Sequence, residues 1–234
     1  MQLAQVSYGS AGAAPPLLIV HGLFGSARNW GAIAKRLSSD RKVIAVDMRN
    51  HGESPWDDAH DYPTMAADLA KTIMAHGAPM DVLGHSMGGK AAMMLALSRP
   101  DLVNRLLVAD IAPVAYQHSQ RHLVAAMQAL DVASIGTRAD ADLALSKDVT
   151  DPGVRAFLLQ SLDLRSDPPR WRLNLATLNR EMDNVTGWPD NVTGHFNRPV
   201  LFLSGALSDY VLAEHRSVIK SLFTNAKFAK IPNA

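Results

Sequence analysis

Six short runs of apolar, largely β-branched residues punctuate this chain, and each ends at a turn rich in Gly, Pro, Asn or Asp. Leu17-Leu18-Ile19-Val20 leads into His21-Gly22, and Val43-Ile44-Ala45-Val46 leads into Asp47. Met80-Asp81-Val82-Leu83 precedes Gly84, and Leu106-Leu107-Val108-Ala109 precedes Asp110. Val200-Leu201-Phe202-Leu203 and Lys227-Phe228-Ala229-Lys230-Ile231 come much later. Strands this apolar, alternating with helical patterns, belong to a parallel sheet whose two faces are both covered by helices. In such a sheet the ligand site lies beyond the carboxyl ends of the strands. His21, Asp47, Ser86, Asp110 and the turn from Gly205 to Asp209 all stand at those ends.

The third run continues into Gly84-His85-Ser86-Met87-Gly88, and Lys90-Ala91-Ala92-Met93-Met94-Leu95-Ala96-Leu97 after it is built from strong helix formers. Strand, Gly-x-Ser-x-Gly and helix make a nucleophile elbow. The turn is too sharp for side chains at its flanks, so both flanking positions are glycine. It also lifts the serine hydroxyl clear of the sheet, at the positive end of the next helix.

Composition narrows the chemistry further. With 234 residues, one domain or one domain carrying an insertion is expected. A formal net charge of +1 and the lack of a Lys/Arg run argue against a nucleic-acid partner. The chain contains no cysteine, which excludes disulfides and thiolate metal sites. Nine histidines invite a metal reading, but there is no His-Glu-x-x-His motif, and no metal is expected. Met1 to Tyr8 lack a basic segment followed by an apolar core, so no secretory signal and a cytoplasmic location are expected. No apolar run approaches the length of a membrane span.

Between Pro113 and about Pro199 the strand–helix alternation stops. Residues 116–131, 139–147, 153–164 and 170–183 read as helices, and no strand is expected there. A helical insertion between two core strands reads as a cap over the site. Its apolar residues Leu123, Met127, Leu130, Phe157, Leu158, Trp171, Leu175 and Trp188 are expected mainly to pack cap against core, with a few lining an acyl pocket.

A serine hydroxyl needs a base, an orienter for that base, and donors for the oxyanion. The Met87 backbone N–H, at a helix N-terminus, is one expected donor. The second is expected in His21-Gly22-Leu23-Phe24-Gly25, whose glycines let the backbone turn inward, and is assigned to the Leu23 N–H. His21 itself reads as a structural histidine.

His21-Gly22-Leu23-Phe24-Gly25-Ser26, Asp47-Met48-Arg49-Asn50-His51-Gly52-Glu53-Ser54, Gly84-His85-Ser86-Met87-Gly88-Gly89-Lys90 and Asp110-Ile111-Ala112-Pro113 occur in that order. Together they resemble the small esterase family of α/β-hydrolases that includes the bacterial YbfF-type esterases and their mitochondrial abhydrolase relatives. The resemblance runs from about Pro16 to the last residue. It implies an α/β-hydrolase fold, a mostly parallel central sheet flanked by helices. The core would span residues 1–112 and 199–234, with the helical cap at 113–198. It also implies that Asp47, Arg49 and His51 brace the loops beside the site.

The triad acid has two candidates. Most α/β-hydrolases carry it in the turn after the strand at Val200–Leu203, where this chain has Asp209. Proteins resembling this one can carry it after the strand that follows the elbow strand, the place of Asp110, and Asp110 is the preferred assignment. The base is expected to follow the final strand. In the family that this run resembles, Gly-His-Trp comes after Ile231-Pro232-Asn233-Ala234, which puts the catalytic histidine beyond Ala234 and implies a truncated chain. His85, His118, His122, His195 and His215 do not read as substitutes, so a chain that binds without cleaving is the alternative.

The reaction implied is carboxylic ester hydrolysis through an acyl-enzyme on Ser86, with a small-molecule ester as partner and no cofactor. Short-to-medium acyl chains are expected. The nucleophilic serine argues against the dehalogenases and epoxide hydrolases of this fold, which attack with aspartate. A thioesterase, a carbon–carbon bond hydrolase or a non-catalytic binder on the same fold remain rivals.

Overall fold

Each apolar run forms a strand, and the strands lie side by side in one sheet. A computed structural model describes residues 1–77 and 79–233. The chain runs through β1 (Gln5–Tyr8), β2 (Leu17–Val20), α1 (Gly31–Leu37), β3 (Val43–Val46), α2 (Tyr62–Ala75), β4 (Met80–His85), α3 (Met87–Ser98) and β5 (Val103–Ala109). After an inserted segment it resumes with β8 (Val200–Gly205), α9 (Arg216–Leu222) and β9 (Ala226–Ile231). The seven strands stand in the order β1-β3-β2-β4-β5-β8-β9. All neighbours are parallel except β1, which pairs antiparallel with β3.

Alternating side chains of each strand supply the two faces. Leu18, Val20, Ile44, Val46, Val82, Val108 and Phe202 point into the larger core, packed by α2, α3 and α9. Leu17, Ile19, Val43, Ala45 and Leu83 face the other way, against Ala27 and Ala34 around α1. Beyond α1 that second face opens: Leu107 and Leu201 are half-buried in a shallow groove that runs across to β9. None of the described helices is long and apolar enough to cross a membrane.

The inserted segment is α4 (Arg121–Ala129), α5 (Arg138–Leu145), α6 (Pro152–Leu159), β6 (Leu162–Asp163), β7 (Arg170–Trp171), α7 (Leu175–Arg180) and α8 (Met182–Thr186). Two expectations are corrected here. Residues 153–164 are not one helix, and residues 170–171 do not begin one. Instead Leu162 pairs with Trp171 and Asp163 with Arg170 in a small antiparallel hairpin. Pro168 and Pro169 lack the N–H that a helix through this stretch would need, and the next helix starts only where Asn174 accepts the Thr177 N–H at 3.3 Å.

The loop after β3 is bound to α2 by a buried ion pair. Asp68 Oδ2 accepts from Arg49 Nε at 2.8 Å and from its terminal nitrogen at 2.7 Å, with both side chains about 3 % exposed or less. Removing the guanidinium would leave Asp68 buried without its main partner. Arg49→Met is therefore expected to lower the unfolding free energy by about 3–5 kcal/mol in urea denaturation. Arg99→Ala, which breaks a solvent-exposed pair with Asp101, is expected to leave the midpoint where it is. Equal losses in the two variants would contradict this assignment of the loop's anchor.

Candidate active site

The elbow is built by close backbone contact. Ser86 has φ 50° and ψ −120°, a conformation that L-residues rarely adopt and that a packed turn must hold in place. A Cβ at Gly84 would lie 2.3 Å from Gly88 O. One at Gly88 would lie 2.4 Å from His21 O and 2.5 Å from Val20 O. The N-terminus of α3 is thus pressed against the carboxyl end of β2. No side chain caps α3, whereas side chains of Asp61, Thr137, Asp151 and Asn174 cap α2, α5, α6 and α7. Its first N–H groups are left to act as donors toward a ligand.

The loop after β2 folds over the same point. A Cβ at Gly22 would sit 3.2 Å from the Ser86 Cβ, so the loop backbone lies directly on the serine. Among the described residues neither the Leu23 N–H nor the Met87 N–H donates to a loop or side-chain acceptor. The Phe24 N–H turns away from the site to His51 Nε2 at 3.2 Å, with Phe24 itself at φ 62°. The Phe24 carbonyl accepts from Ser161 Oγ at 3.0 Å, which ties this loop to the inserted segment.

Behind the loop stands a row of buried imidazoles. His21 donates from Nδ1 to Gly22 O at 2.7 Å and accepts the Met48 N–H on Nε2 at 2.9 Å. His51 donates from Nδ1 to Arg49 O at 2.9 Å. Ring centroids of His51 lie 5.1 Å from His21 and 5.7 Å from His60. Burial, with a smaller contribution from neighbouring imidazoles, pushes His21 down to about 4 and His51 and His60 down to about 3. Each ring stays neutral; His21 and His51 each donate from Nδ1 and accept on Nε2, while His60 accepts the Asn50 side-chain N–H on Nδ1 at 3.2 Å and its buried Nε2 has no partner among the described residues. Asp47 secures the outer side: Oδ1 accepts the Ala27 N–H at 2.7 Å and Oδ2 the Glu53 N–H at 2.9 Å.

Asp110 follows β5, the strand next to the elbow strand. Its φ is 55°, its N–H donates to Leu203 O at 2.8 Å, and the Ser86 N–H donates to Ala109 O at 3.0 Å. Ser86 and Asp110 therefore end neighbouring strands side by side. Asp209 lies one strand further over, exposed in the bend after β8. The base expected beyond Ala234 lies outside the described residues. Among the histidines, His118 bonds the Tyr210 hydroxyl at 2.8 Å, His195 donates to Ser221 O at 2.7 Å, and His215 accepts the Leu212 N–H at 3.2 Å. His118 and His122 stand four residues apart, and no group of three or more metal-ligating side chains occurs among the described residues.

Ser86 opens into a cavity of about 420 Å³. Leu23, Trp30, Ile33, Ile111, Leu123, Phe157 and Val185 give it an apolar lining, while Tyr116, His118, Gln120 and Tyr210 make a polar end. Of the apolar residues singled out in the insertion, Leu123 and Phe157 reach the cavity. Two contributors carry no local sequence signal, Ser161 on the Phe24 carbonyl and Tyr116 bridging Ala112 N–H and Tyr210 O, and Lys90, read in the sequence only as part of the elbow block, stands in the cavity wall.

A family model described as the alpha/beta hydrolase fold matches residues 15–234. The chain is an α/β-hydrolase. Mouse sn-1-specific diacylglycerol lipase ABHD11 is 40% identical over 229 residues, covering 94% of this chain and 74% of the mouse protein. Esterase YbfF of Escherichia coli strain K12 is 37% identical over 222 residues, covering 94% and 85%. The solved structure of a marine microorganism esterase superposes with a TM-score of 0.94 at 35% identity, covering 100% of this chain and 92% of that one.

The imidazole row gives this hydrolase a defined acid sensitivity. On unfolding, each ring regains the ordinary value of 6.5 and takes up a proton that the folded state excludes down to about pH 4. The unfolded state then binds more protons, so stability rises with pH in this window. It is complete above about pH 6.5 and is lost as pH falls toward 4. The three-proton limit is a slope of ~4 kcal/mol per pH unit. Urea titrations between pH 7 and pH 4.5 should show the loss, and His51→Gln should lower the slope by about one proton. An unchanged slope in that variant would contradict the assignment.

Proposed function

We infer that this hydrolase cleaves short-to-medium acyl esters through an acyl-enzyme on Ser86. It is a carboxylic ester hydrolase, as its similarity to the esterase and lipase relatives supports. The observation that carries the assignment of Ser86 is its place at the uncapped N-terminus of α3, under the Gly22–Leu23 backbone and open to the cavity.

Ser86 Oγ attacks the ester carbonyl carbon as its proton passes to a base. The carbonyl oxygen takes the negative charge and is held by the Leu23 and Met87 N–H groups, which need no reorganisation as charge develops. The tetrahedral intermediate expels the alcohol, which takes the proton back. Water then repeats the sequence on the acyl-enzyme and releases the carboxylic acid. Asp110 orients the base and stabilises its protonated form without taking the proton.

Residues 113–198 act as the cap, with Leu123, Phe157 and Val185 facing the acyl chain. A cavity of about 420 Å³ lies near the small end of the ~300–1,000 Å³ range of ligand sites, which supports short-to-medium acyl groups.

Fluorophosphonate labelling and a p-nitrophenyl ester series from acetate upward test this reading on the full-length protein. Wild type should label and should prefer esters shorter than the long-chain fatty acyls. Ser86→Ala should abolish both labelling and turnover. Asp110→Asn is expected to cut kcat by roughly 10³–10⁴-fold, with Asp209→Asn changing it little. Loss confined to Asp209→Asn would move the acid to that turn. A folded full-length protein that never labels would be a binder, and a strong preference for thioesters would make it a thioesterase.

A further inference from the structure

Lys90 is a buried cation that the ester chemistry does not use. It lies on α3 one turn after the nucleophile, with its N–H donating to Ser86 O at 3.1 Å, and it is 1% exposed. Its Nζ donates to Thr186 O at 2.9 Å and to Gly187 O at 2.5 Å. These carbonyls end α8, where a helix leaves acceptors unsatisfied and favours positive charge. The same segment is held twice more. The Tyr62 hydroxyl donates to Val185 O, and the Tyr116 N–H donates to Thr186 O at 3.0 Å. Val185 and Thr186 both line the cavity onto which Ser86 opens.

We propose that Lys90 is a positioning residue that fixes the Val185–Gly187 wall of the cavity against the nucleophile helix and thereby sets acyl-chain selectivity. The proposal rests on the ester-hydrolase reading for its substrate, though the tether itself does not. A single helix then carries both the reacting serine and the peg that locates the wall. An acetyl group makes little contact with that wall, whereas a longer acyl chain depends on where it stands.

The groups facing Nζ explain why its grip depends on protonation. From α2 comes the Tyr62 ring, with its centroid at 5.6 Å, and from the loop after β5 the Tyr116 ring at 4.8 Å. From the end of α8 come the two carbonyls. Both phenols are pushed up by burial, Tyr116 to about 12, and stay neutral. The ammonium thus has dipoles and aromatic faces around it, and burial pushes it down to about 7. Below that value the charged form holds the wall; as pH rises through it, the charge-assisted bonds weaken.

The test is the ratio of kcat/KM for p-nitrophenyl hexanoate to that for the acetate, in which the shared triad chemistry cancels. In the full-length wild type the ratio should fall roughly fivefold to tenfold between pH 6 and pH 9, with a midpoint near 7. Lys90→Met should show the low ratio at every pH, and Lys90→Arg, charged throughout, a high and flat one. Hydrogen exchange gives a readout independent of turnover: the Tyr116 and Gly187 amides should exchange faster in Lys90→Met. The wild-type pH series needs no variant, so it stands even if Lys90→Met does not fold. A ratio that is flat in wild type would overturn the selectivity role. Unchanged exchange at both amides in folded Lys90→Met would overturn the tether. Failure of any ester to turn over, with exchange still accelerated, would instead defeat the ester reading and leave the tether in place.

Discussion

Everything at this site depends on one steric fact, the contact between the first turn of α3 and the carboxyl end of β2. Gly88 allows it, because any side chain there would strike the carbonyls of Val20 and His21. The contact lays the Gly22–Leu23 backbone directly on Ser86 at the start of α3, the geometry that the proposed Leu23 and Met87 donors require. A shift of α3 by the width of a methyl group would separate them, and preorganised donors lose their value steeply with displacement. Gly84 and Gly22 serve the same geometry from the strand side and from the loop side.

Close packing alone would not hold a loop whose N–H groups are meant to stay free. The loop's other polar groups must therefore find partners elsewhere, and the imidazole row supplies them. A neutral imidazole is rigid and carries one donor and one acceptor on opposite edges, so His51 can take the Phe24 N–H while giving its own proton to Arg49 O. The row introduces no charge behind the oxyanion position. Lys90 plays the complementary part on the far side of α3, where its partners are the carbonyls that end α8. The nucleophile helix is held between a neutral hydrogen-bonding row and a buried cation.

Much of this was legible in the chain. The runs at 17–20 and 43–46 match β2 and β3 because strands buried on both faces need unbroken apolar residues. β1 was missed because Gln5–Tyr8 lies at an exposed edge and carries no such pattern. β6 and β7 were missed because two-residue strands have no period to read. At the site, the Gly-x-Ser-x-Gly turn announces itself through local backbone requirements, whereas Asp110 is reached through its strand-end position and the family resemblance. Ser161 and the partners of Lys90 are reached by neither, since those bonds join residues 137, 96 and 97 positions apart. Long-range hydrogen bonds leave no local trace.

The same backbone logic favours the proposed Asp110 over Asp209. Ser86 and Asp110 have φ of 50° and 55°, and they end adjacent parallel strands whose last residues, His85 and Ala109, are paired in register. The two side chains leave the sheet at one height, a strand spacing of ~4.8 Å apart at the backbone, which leaves a bridging imidazole to come from above. Asp209 stands in an exposed bend two strands from Ser86. Strain is tolerated where surrounding contacts enforce it. The Asp110 N–H on Leu203 O and the Gly205 N–H facing Asp110 Oδ1 at 3.4 Å are contacts of that kind, and they bind the carboxylate to β8, the strand that carries its rival.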